Sequence, residues 1–155
     1  MNIALRRLLV PTDFSDASRA AVKYGVAFAE NFRCTLHLLH VLETVTGADP
    51  IVLDIPERST IERSIEASAW DQLRRVLTSG EQARLDVELW IEWGSPVDEI
   101  IRYATEHAID LISMGTHGRG GVERLLLGSV AEHVVRRGPC PVLTVHSRER
   151  EFIKH

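Results

Sequence analysis

The chain has 155 residues, about the length of one domain. Its composition, 45% hydrophobic and 26% charged, is that of an ordinary globular protein. A net charge of −4 gives no general attraction to nucleic acid or anionic lipid. We therefore expect one domain over residues 1–155, without a nucleic-acid partner.

The N-terminus and the apolar runs argue against export and membrane insertion. Residues 1–7 lack the apolar core of a signal peptide. No segment approaches the roughly 20 apolar residues that a membrane-spanning helix requires. We expect a cytoplasmic protein in which Cys34 and Cys140, each opening an apolar run, are free thiols.

Short apolar runs alternate with amphipathic stretches along the chain. In chain order, the pattern predicts strand one at 8–10, a helix capped by Ser15, strand two at 35–42, an exposed connection over 43–56 and a helix over about 59–78. The apolar stripe of that second helix includes Ile61, Ile65, Ala69 and Leu73. His37 and His40 lie three positions apart on strand two, so they face opposite sides and cannot share a metal ion.

The second half of the chain continues the alternation. In residues 85–93, apolar side chains at the odd positions alternate with mostly acidic side chains at the even positions, where Trp90 is the exception. This alternation indicates a strand with one solvated face, as at a sheet edge. A helix that begins at Ser95-Pro96, strand four at 110–114 and strand five at 142–145 complete the predicted elements.

Strands that alternate with helices predict a parallel sheet covered on both faces. With strands three and five at the edges, right-handed crossovers give an open doubly wound α/β sheet in the order 3-2-1-4-5. Ligands of such sheets bind where the order reverses, beyond strands one and four, which selects Pro11-Thr12-Asp13 and the segment from Met114. The order also separates the two cysteines by roughly 14 Å, too far for a disulfide.

A glycine-rich segment follows strand four. Four glycines within residues 115–121 let backbone amides approach a ligand and form an anion-binding concavity. Gly128-Ser129 then begins a helix whose first amides favour a phosphate. The alternative is structural, because Ser129 and Glu132 also match a capping box that needs no ligand.

Two common nucleotide-binding motifs are missing. The chain has no Gly-x4-Gly-Lys-Ser/Thr, the P-loop motif. The dinucleotide-binding fingerprint belongs after strand one, where this chain has Pro11-Thr12-Asp13-Phe14. P-loop NTPases and NAD or flavin enzymes are therefore disfavoured.

Three features together resemble the ATP-binding branch of the universal stress protein family, over about residues 5–146. They are the opening Leu-Leu-Val-Pro-Thr-Asp-Phe-Ser at 8–15, the spacing Gly115-x2-Gly118-x9-Gly128-Ser129, and Gly-Pro-Cys-Pro-Val-Leu at 138–143. The resemblance implies an adenine nucleotide alpha hydrolase-like fold that binds ATP.

The resemblance also implies the roles of individual residues. An adenine and ribose site is implied at Pro11, Thr12, Asp13 and Val41, with Met114 and Gly115 lining the same pocket. Asp13 would face the ribose hydroxyls; the alternatives are a contact with a nucleotide-bound Mg²⁺ and a purely structural role in ordering the loop. The phosphates would lie on Gly118, Gly128, Ser129 and Val130.

One position departs from the family pattern. His117 stands where members often carry arginine, so we hypothesise a weaker or pH-dependent phosphate contact, with Arg119 supplying a cation.

These features predict an ATP-binding regulator of the stress response that acts on an unidentified protein partner. The resemblance implies a homodimer through antiparallel pairing of the last strands, residues 142–146. Two alternatives stay open: a slow ATPase or phosphotransferase that uses Asp13 and Mg²⁺, and an interaction module that binds no nucleotide. No catalytic set of residues is evident from the sequence.

Overall fold

A computed structural model describes residues 3–43, 55–116, 128–146 and 153, with only the backbone described for residues 55–59. Within these ranges the elements are β1 (Arg7–Pro11), α1 (Asp16–Phe32), β2 (Thr35–Leu42), α2 (Ile55–Arg74), α3 (Ser79–Arg84), β3 (Val87–Trp93), α4 (Pro96–Glu106), β4 (Leu111–Gly115), α5 (Ser129–Arg137) and β5 (Val142–Val145). None of the helices in these ranges has the length and apolar character needed to cross a bilayer.

The five strands form one parallel sheet in the order β3-β2-β1-β4-β5. This confirms the predicted doubly wound topology. The order runs outward from β1 to β3 on one side and from β4 to β5 on the other, so the carboxyl ends of the parallel strands β1 and β4 flank the switch point of the sheet.

Helices cover both faces of the sheet and enclose two apolar clusters. On one face, α1 and α2 pack on residues such as Leu8, Val10, Leu36 and Leu38. On the other, α4 and α5 pack on residues such as Leu9, Leu39, Ile112 and Met114. The alternation of neighbouring strand residues between these clusters is the period-two pattern of a sheet buried on both sides.

The region between β2 and β3 differs from the prediction. The predicted helix over 59–78 corresponds to α2, which begins earlier, at Ile55 within the predicted connection over 43–56, and ends earlier, at Arg74. The short α3 follows at Ser79–Arg84, which the prediction left unassigned. The side chain of Thr78 accepts a hydrogen bond from Glu81 N–H, while the Glu81 carboxylate accepts from Thr78 N–H, forming a capping box. This start signal begins α3 as a separate helix, after α2 has ended at Arg74.

Only the C-terminal half of the predicted α2 stripe is buried. Ala69 and Leu73 belong to the core, whereas Ile61 and Ile65 are 49% and 39% exposed. Helical periodicity alone therefore overestimated how far α2 follows the sheet.

Both cysteines are free thiols, as predicted. Cys34 is buried and Cys140 is half-buried. Burial raises the pKa of both thiols, so neither is activated as a thiolate.

Candidate functional site

The loop after β1 is ordered by its own side chains. Thr12 is only 5% exposed, and its hydroxyl accepts a hydrogen bond from Phe14 N–H at 3.1 Å and contacts the Ser18 hydroxyl at 3.1 Å. Ser15 caps α1, as predicted, by accepting from Ser18 N–H. Phe14 has φ of +64°, an uncommon value for a bulky residue, and is held there by this network.

Asp13 shapes the same turn. Its Oδ1 accepts a hydrogen bond from Ser15 N–H at 3.0 Å. Partial burial alone would raise the pKa of Asp13, but hydrogen bonds from Ser15 and Ser18 outweigh it and hold the pKa below its usual value. Asp13 is therefore a carboxylate at neutral pH, as a ribose or metal contact requires.

The carboxyl end of β2 lies beside this loop. Pro11 is in register with Leu39, and Thr12 N–H donates to Leu39 C=O at 2.8 Å. Val41 follows two residues later, half-buried against the cluster that contains Met114. The residues predicted to contact adenine and ribose thus lie together at the carboxyl ends of the strands.

Strands β1 and β4 separate towards their carboxyl ends. They pair at Leu8 with Leu111 and at Leu9 with Ile112, although both strands are fully described and continue to Pro11 and Gly115. An opening at the switch point is where open α/β sheets take their ligands.

Gly115 ends β4 under the start of α1. A Cβ at this position would lie 2.6 Å from the carbonyl carbon of Ala17 and 2.8 Å from Ser18 N. Because these atoms are backbone, Gly115 has a packing reason to lack a side chain, apart from any ligand. The close approach places the first turn of α1 directly over the end of β4.

The two described ends of the glycine-rich segment meet. Gly128 N–H donates a hydrogen bond to Thr116 C=O, so the start of α5 lies at the end of β4. Thr116 is 1% exposed and is further held by Val145 C=O and His146 Nδ1. Residues 117–127 lie outside the described residues, and with them the predicted contacts His117, Gly118 and Arg119.

The predicted capping box at α5 is wrong. Gly128 is the N-cap, and among the described residues no side chain caps this terminus. Ser129 is already the first helical residue, so Glu132 falls one position beyond the spacing that a capping box needs, and it pairs with Arg136 at 3.1 Å. The first amides of α5, from Ser129 and Val130 onward, therefore lack a side-chain acceptor from their own helix start.

A cavity of about 310 Å³ lies elsewhere, against the start of β3. Its lining residues are Leu73, Arg74, Leu77, Gln82, Leu85, Asp86, Val87 and Leu89. None of the predicted nucleotide contacts borders it. We place the candidate site at the switch point, where polar groups and helix amides converge.

Sequence reasoning missed two residues that build the site. His40 bonds the carbonyl of Thr12, and Ser18 contacts its hydroxyl. The signal for Ser18 was present, since it sits three residues after a cap. The sequence gave no signal for His40 beyond its position on β2. His37 faces the opposite side of the sheet, as predicted, and its ring is hydrogen-bonded to Tyr103.

Comparison with known proteins identifies the family. A sequence model described as the universal stress protein family matches residues 4–146. The chain belongs to the universal stress protein family. Universal stress protein MJ0531 of Methanocaldococcus jannaschii is 32% identical over 94% of this chain and 85% of its own length.

Solved universal stress proteins share the fold. UspA of Lactobacillus plantarum is 30% identical, with a TM-score of 0.81 over 93% of this chain and 99% of its own. A universal stress protein in complex with cAMP is 28% identical, with a TM-score of 0.59 over 94% of this chain and 99% of that one.

Proposed function

We propose that this universal stress protein binds ATP at the opening between β1 and β4 and acts as a nucleotide-dependent regulator of the stress response. One observation carries the proposal: the hydrogen bond between Gly128 and Thr116 brings the start of α5, which no side chain of the described ranges caps, to the end of β4. The first backbone amides of a helix and its positive dipole end, placed at a switch point, suit a phosphate group.

The parts of the nucleotide can be assigned to residues at the carboxyl ends of the strands. Adenine and ribose would occupy the side formed by Pro11, Thr12, Asp13 and Val41, with Met114 and Gly115 beneath. The phosphates would meet the amides of Gly128, Ser129 and Val130, joined by Gly118 and the side chains of His117 and Arg119.

A relative supports adenine as the base. The universal stress protein in complex with cAMP shares the fold of this chain. Adenosine and one phosphate are common to cAMP and ATP, so that complex supports the adenosine half of the site. The triphosphate depends on the glycine spacing and on the start of α5.

We assign Asp13 to the ribose hydroxyls. Its Oδ1 accepts from Ser15 N–H, and the rest of the carboxylate can accept hydrogen bonds from the ribose hydroxyls. The hydroxyl of Ser15 is likewise engaged, by Ser18 N–H. Because both groups serve the turn, we expect ATP to be bound with little or no hydrolysis.

Assembly and location complete the proposal. We propose a cytoplasmic homodimer that pairs the outer edges of two β5 strands, together with a protein partner that distinguishes the ATP-bound form. A ligand changes such a partnership only through different affinities for the two states.

Replacing Gly128 by valine tests the proposal. Gly128 has φ of −57° and ψ of 151°, values open to any residue, so Gly128→Val should preserve the fold. Its side chain would fill the space beside the α5 amides. Calorimetry should show ATP binding to the wild type and at least tenfold weaker binding to Gly128→Val, with similar melting temperatures.

The identity of the ligand can be read from protein purified without added nucleotide. Mass spectrometry of the denatured sample should find an adenine nucleotide in the wild type and much less in Gly128→Val. A wild type that carries no adenine nucleotide and gives no calorimetric response to ATP would contradict the proposal and favour an interaction module.

A further inference from the structure

His40 occupies a buried position directly before Val41, at the carboxyl end of β2. It is 8% exposed, and its Nδ1 lies 2.7 Å from the carbonyl oxygen of Thr12. A carbonyl oxygen can only accept, so Nδ1 carries the proton and donates. This bond reaches from β2 to the loop after β1.

The bond sets the direction of one peptide plane. Thr12 is held from β2 at both its backbone groups, because its N–H donates to Leu39 C=O at 2.8 Å and its C=O accepts from His40. The peptide unit is planar and trans, so a fixed Thr12 carbonyl also fixes the opposite direction of the Asp13 N–H. His40 thereby aims the backbone that leads into Asp13.

His40 also covers the strained residue of the loop. Its ring lies 4.3 Å from that of Phe14 at 32°, and Phe14 is the residue with φ of +64°. A conformation of this kind persists only when its surroundings determine it. The imidazole of His40 helps to maintain the conformation of Phe14, because it packs on the Phe14 ring and is hydrogen-bonded to the Thr12 carbonyl.

We propose that His40 is a positioning residue of the nucleotide site, acting through the Thr12 carbonyl and the Phe14 ring to hold residues 12–14 ready for adenine and ribose. This inference rests on the proposed function of the site. It assigns His40 a role through the Thr12 carbonyl and the Phe14 ring, and not through contact with the nucleotide.

The test compares substitutions that differ in where they place a donor. The side-chain amide of His40→Asn can stand near the position of Nδ1, whereas that of His40→Gln stands nearer Nε2. Calorimetric titration with ATP should give near wild-type affinity for His40→Asn and about tenfold weaker binding for His40→Gln and His40→Leu, the usual effect of one buried hydrogen bond.

His37 supplies a matched control on the same strand. It is 3% exposed, faces the opposite side of the sheet and bonds Tyr103. His37→Leu should therefore lower the melting temperature without changing ATP affinity. Equal loss of affinity in His37→Leu and His40→Leu would overturn the proposal, because global destabilisation would then account for both.

The remaining outcomes separate this inference from the proposed function. If the wild type binds ATP, and His40→Asn and His40→Gln bind ATP with equal affinity, the role of His40 is overturned while the proposed function stands. The comparison of these two variants remains valid even if His40→Leu fails to fold. Wild-type protein that binds no adenine nucleotide would overturn the proposed function and with it this inference.

Discussion

Two glycines of the candidate site lack a side chain for different reasons. Gly115 lies against the backbone of α1, where a Cβ would come within 2.6 Å of Ala17. Gly128 has backbone angles that any residue can adopt, so its backbone conformation does not require glycine. The first supports the fold, and we propose that the second leaves room for phosphate.

Gly115→Ala should destabilise the protein by about 1–3 kcal/mol, the usual cost of overpacking, because the obstructing atoms are backbone and cannot rotate away. The free energy of unfolding in urea measures this. Gly80→Ala is the control, since a Cβ there meets only the end of the Arg84 side chain at 3.4 Å. Equal stability of the two variants would contradict the packing argument.

His37 makes stability depend on pH. Burial lowers the pKa of His37 below 6.5, and the nearby Glu88 carboxylate opposes this shift only in part. Nε2 of His37 has no hydrogen-bond partner within the part of the chain that the structure describes. The unfolded chain therefore binds the proton more tightly, so stability is present above pH 6.5 and declines as the pH falls through the lower, folded-state pKa.

Urea titrations between pH 7.5 and 5 should show this decline, at most about 1.4 kcal/mol per pH unit for one proton. His37→Leu should be less stable at pH 7.5 but show a shallower dependence on pH. An unchanged slope in the variant would mean that another group titrates.

The outcome at single residues shows what a sequence can reveal about the site. Thr12 and Asp13 were predicted from the switch point, and their contact with a nucleotide stays a prediction. Ser15 was predicted from its capping pattern, which the structure confirms. His40 was missed because its bond to Thr12 spans two strands, and no local pattern encodes that contact. Gly115 was assigned to the ligand, although its contact with α1 becomes visible only when the helix is packed on the sheet.

Elements were predicted best where periodicity and a boundary signal agree. Strand β2 and strand β5 match their predicted bounds, as buried runs with clear ends do. Helix α3 was missed because continued apolar spacing to Leu77 hid the Thr78-x-x-Glu81 start signal. The α5 capping box failed by a single residue, a shift that sequence periodicity cannot resolve.

Thr78→Ala should destabilise the protein by about 0.5–2 kcal/mol, because α3 loses the acceptor for one amide at its start. Denaturant unfolding measures the change. Thr105→Ala serves as the control, since the exposed side chain of Thr105 only bonds back to Ile101 C=O within α4. A neutral Thr78→Ala would show that α3 does not depend on its cap.

At the scale of the whole molecule, the sheet order explains both the position of the candidate site and the outermost position of β5 among the described strands. The order 3-2-1-4-5 followed from alternating elements and crossover handedness, and the structure confirms it. The same order leaves β5 outermost beside β4. Outer strands need pairing or cover, which is the physical reason to propose a dimer there.

A proline on β5 tests the dimer. Pro141 and Val145 direct their carbonyls to β4, so Thr144, one position before Val145, directs its backbone outward. Thr144→Pro would remove an outward donor without removing a bond to β4. Light scattering after size exclusion should give a wild-type dimer and a monomeric variant at micromolar concentration; a monomeric wild type would refute the dimer.

The most direct test of the account follows backbone amide signals by NMR during titration with ATP and, separately, with adenosine. Adenosine should shift the amides of Asp13 and Val41, and ATP should shift these and also Gly128, Ser129 and Val130. Saturating ATP that leaves residues 128–130 unchanged would contradict the claim that the start of α5 holds the phosphates.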